Sequence, residues 1–383
     1  MSSAFIHSPR PMRVALVSEL LTMRGGAERV LRIVADMFPS APIFTLLYDE
    51  RLLGDWFPRE RVRGSVLQRY SWLSTNHHLY LPFFPKAVEA WGFSEYDLVI
   101  SSSSAFTHGI ITNTAPRHIC YVHSPARYLW DRTHDVLNQA HQGMLGPLKK
   151  AYLSRVFHSL RIWDTEAADR PDVLLAASRE VQRRIELYWR RESTVVYPPL
   201  AQEWLTGHAS RAQKKDTVSP YMLLVSTLAR YKRIDLAIEA CNRLSLPLHI
   251  VGEGPDASRL RSLSGPTITF TGYTDSRALR ALYEGATATI MPGEEDFGLV
   301  PLESMACGTP VIAYGKGGAR ETIIEGTTGA FFSEPTSESL TKVLRTFDAS
   351  SFSKSACAKR AEEFSEEIFK KRLQEAIDTC MRD

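Results

Sequence analysis

The segment Gly293 to Val311, GEEDFGLVPLESMACGTPV, brings two carboxylates, Glu295 and Glu303, into one short stretch with seven residues between them. Apolar residues at Leu299, Val300, Leu302, Met305 and Ala306 predict a helix over Leu299–Cys307 that ends at Gly308, with Pro310 beyond it as a stop. Glu295 then sits in the loop before the helix, Glu303 about a turn inside it, and the free N–H groups of the helix start lie between them. Carboxylates accept from sugar hydroxyls while helix-start amides hold an anionic diphosphate, so this layout suits a ligand carrying both. The plain alternative is a solvated acidic loop, yet Glu303 among apolar neighbours needs a partner.

Other residues offer related chemistry. Gly25-Gly26-Ala27-Glu28 falls between a strand and a helix, where two glycines let backbone amides approach an anion. The same turn also fits a purely geometric purpose. His123 follows an apolar strand and precedes Ser124-Pro125, which places it at a strand's carboxyl end. Gly252-Glu253-Gly254-Pro255-Asp256-Ala257 matches the dinucleotide pattern GxGxxG/A literally. Pro255 removes a backbone donor from that turn, and the next strand starts too soon for an ordinary crossover helix. The segment therefore reads as a strand-to-helix turn and not as a cofactor site.

These residues need elements to position them. Short β-branched runs at Arg13–Val17, Ile43–Leu47, Asp97–Ser101, His118–Val122 and Val173–Ala177 alternate with helical stretches such as Ala27–Phe38, with Ser18–Gly26 read as loop. Tyr197-Pro198-Pro199 breaks this pattern, and Ala201 to Pro220 is polar and basic, the reading of an interdomain crossing. Alternation resumes with strands at Tyr221–Val225, Leu248–Val251, Ile268–Thr271, Ala288–Met291 and Val311–Tyr314. Helices are predicted at Ile234–Leu244 and Ser276–Glu284, and Ser365 to Asp383 reads as one amphipathic helix. A chain of 383 residues suits two such α/β domains. The expected boundaries are 12–200, 201–364 and a closing helix at 365–383 that returns toward the first domain.

In this order the motifs resemble the retaining glycosyltransferases of the GT-B fold, family 4. GEEDFGLVPLE corresponds to their EX7E motif. The GGAE turn, Tyr121-Val122-His123-Ser124-Pro125, Arg230-Tyr231-Lys232-Arg233, GEGP and Phe270-Thr271-Gly272 follow the family's sequence of motifs from about Met12 to the end. The resemblance implies two Rossmann-like domains with parallel sheets facing across a cleft, and a nucleotide diphosphate sugar as substrate with no cofactor. It makes Glu303 the ribose ligand and Glu295 the donor-sugar ligand, with Phe297, Gly298 and Leu299 offering backbone amides. Gly25 and Gly26 lie near the diphosphate and transferred sugar, Gly272 and Tyr273 join the donor side, and His123 contacts the sugar near the reacting carbon. Lys232 neutralises the diphosphate. Relatives usually carry Arg where this chain has Thr227, and Arg230 is the candidate to replace that charge. Arg127 and Asp131 are assigned to the acceptor side. HSPARYLWD, LARYKRIDLAIEA and GEEDFGLVPLE most resemble GDP-mannose-dependent mannosyltransferases of surface-polysaccharide assembly, with a UDP-sugar donor as the alternative.

Composition narrows the remaining classes. Net charge is +3, too small for a nucleic-acid binder, but it divides into +5 up to Leu200 and −2 beyond. The five cysteines include no CxxC pair, which excludes a disulfide framework or zinc ribbon and fits a reducing cytoplasm. Met1 to Pro11 lacks an apolar signal core and reads as a short leader. No DxD-type pair is present and His77-His78 has no carboxylates at ligand spacing, so no metal is expected. Aromatic and basic residues interleave over Trp56–Trp91 and over Gly146–Trp163, a composition that suits either an anionic membrane surface, for a lipid-linked saccharide acceptor, or ordinary core with solvated arginines. An NAD-dependent oxidoreductase rests on the GEGPDA turn alone. A non-catalytic sugar-binding protein is the third reading.

Overall fold

A computed structural model describes residues 10, 12–69, 77–114, 116–141, 145–206 and 220–382. Most of the leader, Tyr70 and Trp72, the side chains of His77 and His78, and the greater part of the expected crossing at 201–220 lie outside the described residues. The chain divides into two compact units. One comprises Met1–Ala177, Val181–Val196 and Arg372–Asp383; the other comprises Ser178–Glu180 and Tyr197–Lys371.

The first unit holds β1 Val14–Leu21, β2 Ile43–Tyr48, β3 Val62–Gly64, β4 Leu98–Ser103, β5 Arg117–Val122, β6 Val173–Ala176 and β7 Thr194–Val195. They form one sheet in the order β3-β2-β1-β4-β5-β6-β7, and every pairing is parallel. Ala15, Leu16 and Val17 are fully buried because helices cover both faces of such a sheet, which is why β1 reads as a continuous apolar run. The second unit holds β8 Met222–Val225, β9 Leu248–Val251, β10 Ile268–Gly272, β11 Ala288–Met291, β12 Val311–Tyr314 and β13 Gly329–Phe332. Their order is β10-β9-β8-β11-β12-β13, again all parallel. The helix Ile234–Leu244 buries Ile234, Leu236, Ala237, Ile238, Ala240 and Cys241 against this second sheet, and the C-terminal helix runs Glu366–Cys380.

Two expectations change, and one open choice is narrowed. The Ser18–Gly26 segment is not all loop, since β1 continues to Leu21 through Ser18 and Glu19 and pairs with β2 and β4. Glu19 is tolerated there because its carboxylate accepts from the amides of Ser104, Ala105, Phe106 and Thr107 at 2.8–3.2 Å. Second, a crossover helix does follow GEGPDA: Ala257–Leu263 joins β9 to β10 in a single short passage. Of the two readings open for Trp56–Trp91, the described aromatics largely follow that of ordinary core. Phe57 and Phe84 are buried, Trp91 packs against the first unit's apolar cluster, and the rim is left with Phe83 exposed.

The GEGP turn keeps its non-cofactor reading for a different reason. Gly252 has φ +129°, and a Cβ there would stand 1.9 Å from the Ser226 carbonyl oxygen. A Cβ on Gly254 would stand 2.4 Å from the Leu228 carbonyl. Backbone bonds Leu228 N–H to Glu253 O (2.8 Å) and Asp256 N–H to Leu228 O (2.9 Å) lock the two loops together. The glycines thus seat the loop that carries Thr227 to Lys232. Gly252→Ala combines a disfavoured backbone with a collision, and urea unfolding should show a loss of about 2–4 kcal/mol.

Candidate functional site

In the second unit the loop after β8 ends in a short 3-10 turn, Arg230–Lys232, followed by Arg233 in the left-handed region (φ 52°). The Lys232 ammonium donates to Glu295 Oε1 at 2.5 Å, both side chains being about four-fifths buried. Burial works against the ammonium, but Glu295 beside it, with Tyr231 and Asp296, more than offsets this and raises the lysine's pKa. The contact is enforced by backbone: a Cβ on Gly293 would lie 2.8 Å from the Lys232 carbonyl oxygen. Behind Glu295, a Cβ on Gly318 would lie 2.2 Å from Phe297 Cα, and Gly318 N–H donates to Glu295 O at 2.9 Å. Ser178 Oγ donates to Asp296 O at 2.6 Å, and Phe297 is buried and stacked on Tyr197 at 5.4 Å.

The helix runs Leu299–Ala306, starts at Gly298 (φ +88°), and has no side-chain cap, so its first amides are not covered by a residue of its own turn. Glu303 is buried inside it, and its Oε2 accepts from the Tyr283 hydroxyl at 3.1 Å. This is the partner that Glu303 needed, and sequence reasoning missed it. The signal was present: Tyr283 occupies a buried position of the Ser276–Gly285 helix, and a buried phenol requires an acceptor. Arg230 is 60% exposed and stands 3.7 Å from Asp256, a carboxylate that Arg259 already grips at 2.9 and 2.6 Å. Thr227 lies in the same loop. Gly272 closes β10 with φ +76°, and the Tyr273 side chain beyond it is 79% exposed.

In the first unit, three consecutive serines of β4 each meet an imidazole: Ser101 Oγ with His118 Nε2 (2.8 Å), Ser102 Oγ with His123 Nε2 (2.8 Å) and Ser103 Oγ with His108 Nδ1 (3.4 Å). His118 and His108 are fully buried, and burial lowers their pKa values to about 3 and about 4, so both are neutral structural residues. His123 differs: it sits just past β5, half-buried, edge-on to Tyr121 at 5.1 Å. Gly26 opens the helix Gly26–Met37. The Gly25 N–H donates to Glu28 Oε2 at 3.0 Å, so this amide is bonded within its own turn and not held open for an anion. Asp131 is the centre of a charged cluster, 3.5 Å from Arg127 Nε, 3.3 Å from buried Arg184 Nε and bonded by the Tyr188 hydroxyl. Among the described residues no group of three or more His, Cys, Asp or Glu is placed to hold a metal ion.

The family "Glycosyl transferases group 1" matches residues 208–364, which contain Lys232, Glu295 and Glu303. A GDP-mannose-dependent alpha-mannosyltransferase of Mycolicibacterium smegmatis is 31% identical over 176 residues, 44% of this chain and 46% of the relative. A D-inositol 3-phosphate glycosyltransferase of Acidothermus cellulolyticus is 31% identical over 192 residues, 41% and 43% of the two chains. The chain thus spans less than half the length of these curated relatives. Among solved structures, sucrose-phosphate synthase from Thermosynechococcus elongatus superposes with TM-score 0.70 at 18% identity, covering 97% of this chain and 100% of that one. Anabaena Alr3699/HepE in complex with UDP-glucose gives 0.67 at 17% identity, covering 96% and 99%. Two parallel-sheet α/β domains with these neighbours make the fold GT-B.

Glu28 gives the glycine turn of the first unit a testable pH signature. Burial raises its pKa from 4.5 to about 7, against the lowering effect of backbone hydrogen bonds that include the Gly25 amide. Between those values the unfolded chain has already lost the proton that the folded chain keeps, so stability falls as pH rises through this window, by up to about 3 kcal/mol. Thermal melts should show the wild type losing stability relative to Glu28→Gln from pH 4.5 to about 7; parallel pH profiles would reject this burial effect.

Proposed function

We propose that the chain is a retaining, metal-independent glycosyltransferase of family 4. It transfers a hexose, in the leading reading mannose from GDP-mannose, to a saccharide acceptor in polysaccharide assembly. The observation that carries this reading is the Lys232–Glu295 pair before the uncapped start of the Leu299–Ala306 helix, within the matched residues. In the free protein each charge neutralises the other. When donor binds, Glu295 turns to the sugar hydroxyls and Lys232 to the diphosphate, where it meets negative charge that grows as the bond to the anomeric carbon breaks. The acceptor oxygen forms its bond on the face the diphosphate leaves, its proton passing to the departing phosphate oxygen, and the first helix amides hold the departing phosphates. Arg230, exposed and only loosely drawn to Asp256, is free to swing toward the same phosphates in place of the arginine absent at Thr227.

A UDP-sugar is the alternative donor, because the Anabaena neighbour was solved with UDP-glucose. Incubation with labelled GDP-mannose and with UDP-glucose, followed by nucleotide release, separates the donors. Release from neither would favour a non-catalytic sugar-binding protein, and unchanged release from Arg230→Ala would reject its part. The anomer of the product reads out retention, and insensitivity to EDTA reads out metal independence. Glu303→Ala should weaken donor binding in calorimetry by about 1.5–3 kcal/mol, the range for a charge-assisted hydrogen bond. Unchanged affinity would remove Glu303 from the site.

We also propose that the protein is cytoplasmic and works at the membrane's inner face, on a lipid-linked acceptor. No helix among the described residues is long and apolar enough to cross a membrane. The helix Gly146–Ala167 exposes Leu148 (71%) and Tyr152, with Leu145 just before it, beside Lys149, Lys150 and Arg155. Farther along, the same helix buries Val156, Phe157 and Leu160. Each cation adds only about 1 kcal/mol near an anionic surface, so several must act together and salt should weaken them. Wild type should sediment with anionic vesicles and the Lys149, Lys150 and Arg155 triple Glu variant should not. Equal, salt-insensitive sedimentation of both would assign this face to ordinary surface.

A further inference from the structure

A cavity of about 680 Å³ opens in the first unit and is lined by Thr22, Tyr48, Asp49, Arg51, Arg59 and Gln68, among others. These residues come from the loops after β1, β2 and β3, the carboxyl edge at which open parallel sheets receive ligands. Its volume falls within the roughly 300–1,000 Å³ of small-molecule sites. The walls are held firmly. Tyr48 donates its hydroxyl to Phe57 O at 2.6 Å, and its backbone N–H and C=O are both bonded by the Gln68 amide, at 2.7 and 3.1 Å.

The charges in this cavity are unequally engaged. Asp49 accepts from the amides of Arg51 and Leu52. Glu50 stands 4.0 Å from Arg59, which also donates to Val62 O at 2.9 Å. The Arg51 guanidinium has no carboxylate within 4 Å among the described residues, although Asp49 and Glu50 line the same cavity together with Arg59 and the apolar Leu47 and Val62. The cavity also touches the glycine turn. Thr22 belongs to the same loop as Gly25 and Gly26, and Arg24 of that loop donates to Leu52 O at 3.0 and 2.9 Å and to Asp55 at 2.7 Å, tying the loop to the cavity wall. By contrast, Asp131 is already surrounded by Arg127, Arg184 and Tyr188.

We propose that this cavity binds the acceptor as a saccharide bearing an anionic group, with Arg51 as ligand of the anion and Thr22, Asp49 and Gln68 facing the sugar hydroxyls. The inference rests on the glycosyltransferase reading and names its acceptor class. A carboxylate and a phosphate ester share the chemistry that a guanidinium recognises.

The test is ligand-observed NMR titration of the whole protein with methyl α-D-glucopyranoside, D-glucuronate, glucose 6-phosphate and inorganic phosphate, alongside GDP. At least one acidic sugar should bind roughly tenfold more tightly than the neutral glycoside, the effect of one charge-assisted hydrogen bond. Arg51→Ala should abolish that preference while GDP affinity stays unchanged, which also reports that the variant is folded. Glucuronate ahead of glucose 6-phosphate identifies a uronate, and the reverse a sugar phosphate. Equal binding of the neutral glycoside, inorganic phosphate binding as tightly as the sugar phosphate, a preference that survives Arg51→Ala, or no sugar binding would each overturn the proposal. Failure of the wild type to bind any nucleotide would instead count against the glycosyltransferase reading.

Discussion

A lysine and a glutamate cannot be removed from water singly, and the second unit is arranged so that Lys232 and Glu295 are removed together. The contact brings the loop after β8 against the loop after β11, and glycines at both ends make the approach possible. Gly293 lets the acidic loop meet the Lys232 backbone, while Gly317 and Gly318 let the loop after β12 lie on Glu295 and Phe297. Farther back, Gly252 and Gly254 fasten the Lys232 loop to the β9 turn. The carboxyl ends of β8, β9, β11 and β12 are therefore joined by close backbone contact around one ion pair. Such a pair is costly to bury and weak as a source of stability.

The first unit manages its polar groups differently. Serines of β4 meet the imidazoles of His118 and His123, and Glu19 fills the amides of the turn after β4 with its own carboxylate. Asp164, buried beneath, is pushed by burial up to about 6 although the Trp189 and Trp130 indoles donate to it at 2.7 and 2.8 Å. His123 departs from this internal pattern because it stands past the end of its strand, where a ring can reach a ligand. Glu28 belongs to the same logic: its buried carboxyl holds the glycine turn in shape.

Much of this was legible in the sequence because both sheets are parallel and buried. Continuous apolar runs such as Ala288–Met291 and Val311–Tyr314, and the periodicity of Ile234–Leu244, fall on observed elements with the same bounds. The edges were harder. β3 and β7 are too short to show a pattern, and β13 (Gly329–Phe332) begins on a glycine after a turn-rich stretch. Glu19 hid the end of β1, since a carboxylate in a strand is explained only by amides more than eighty residues away. The layout of Glu295 and Glu303 around a helix start followed from Gly308, Pro310 and the apolar spacing. The identities of their partners, Lys232 and Tyr283, depend on tertiary contacts that spacing does not encode.

In the proposed reading Lys232 and Glu295 hold each other's place until a nucleotide diphosphate arrives. Calorimetric titration of GDP into wild type, Lys232→Met and Glu295→Gln tests this most directly. Lys232→Met should lose about tenfold or more in affinity, and Glu295→Gln should bind GDP more tightly than wild type because the ammonium no longer has to leave a carboxylate. GDP affinities that are the same in all three proteins would contradict the claim.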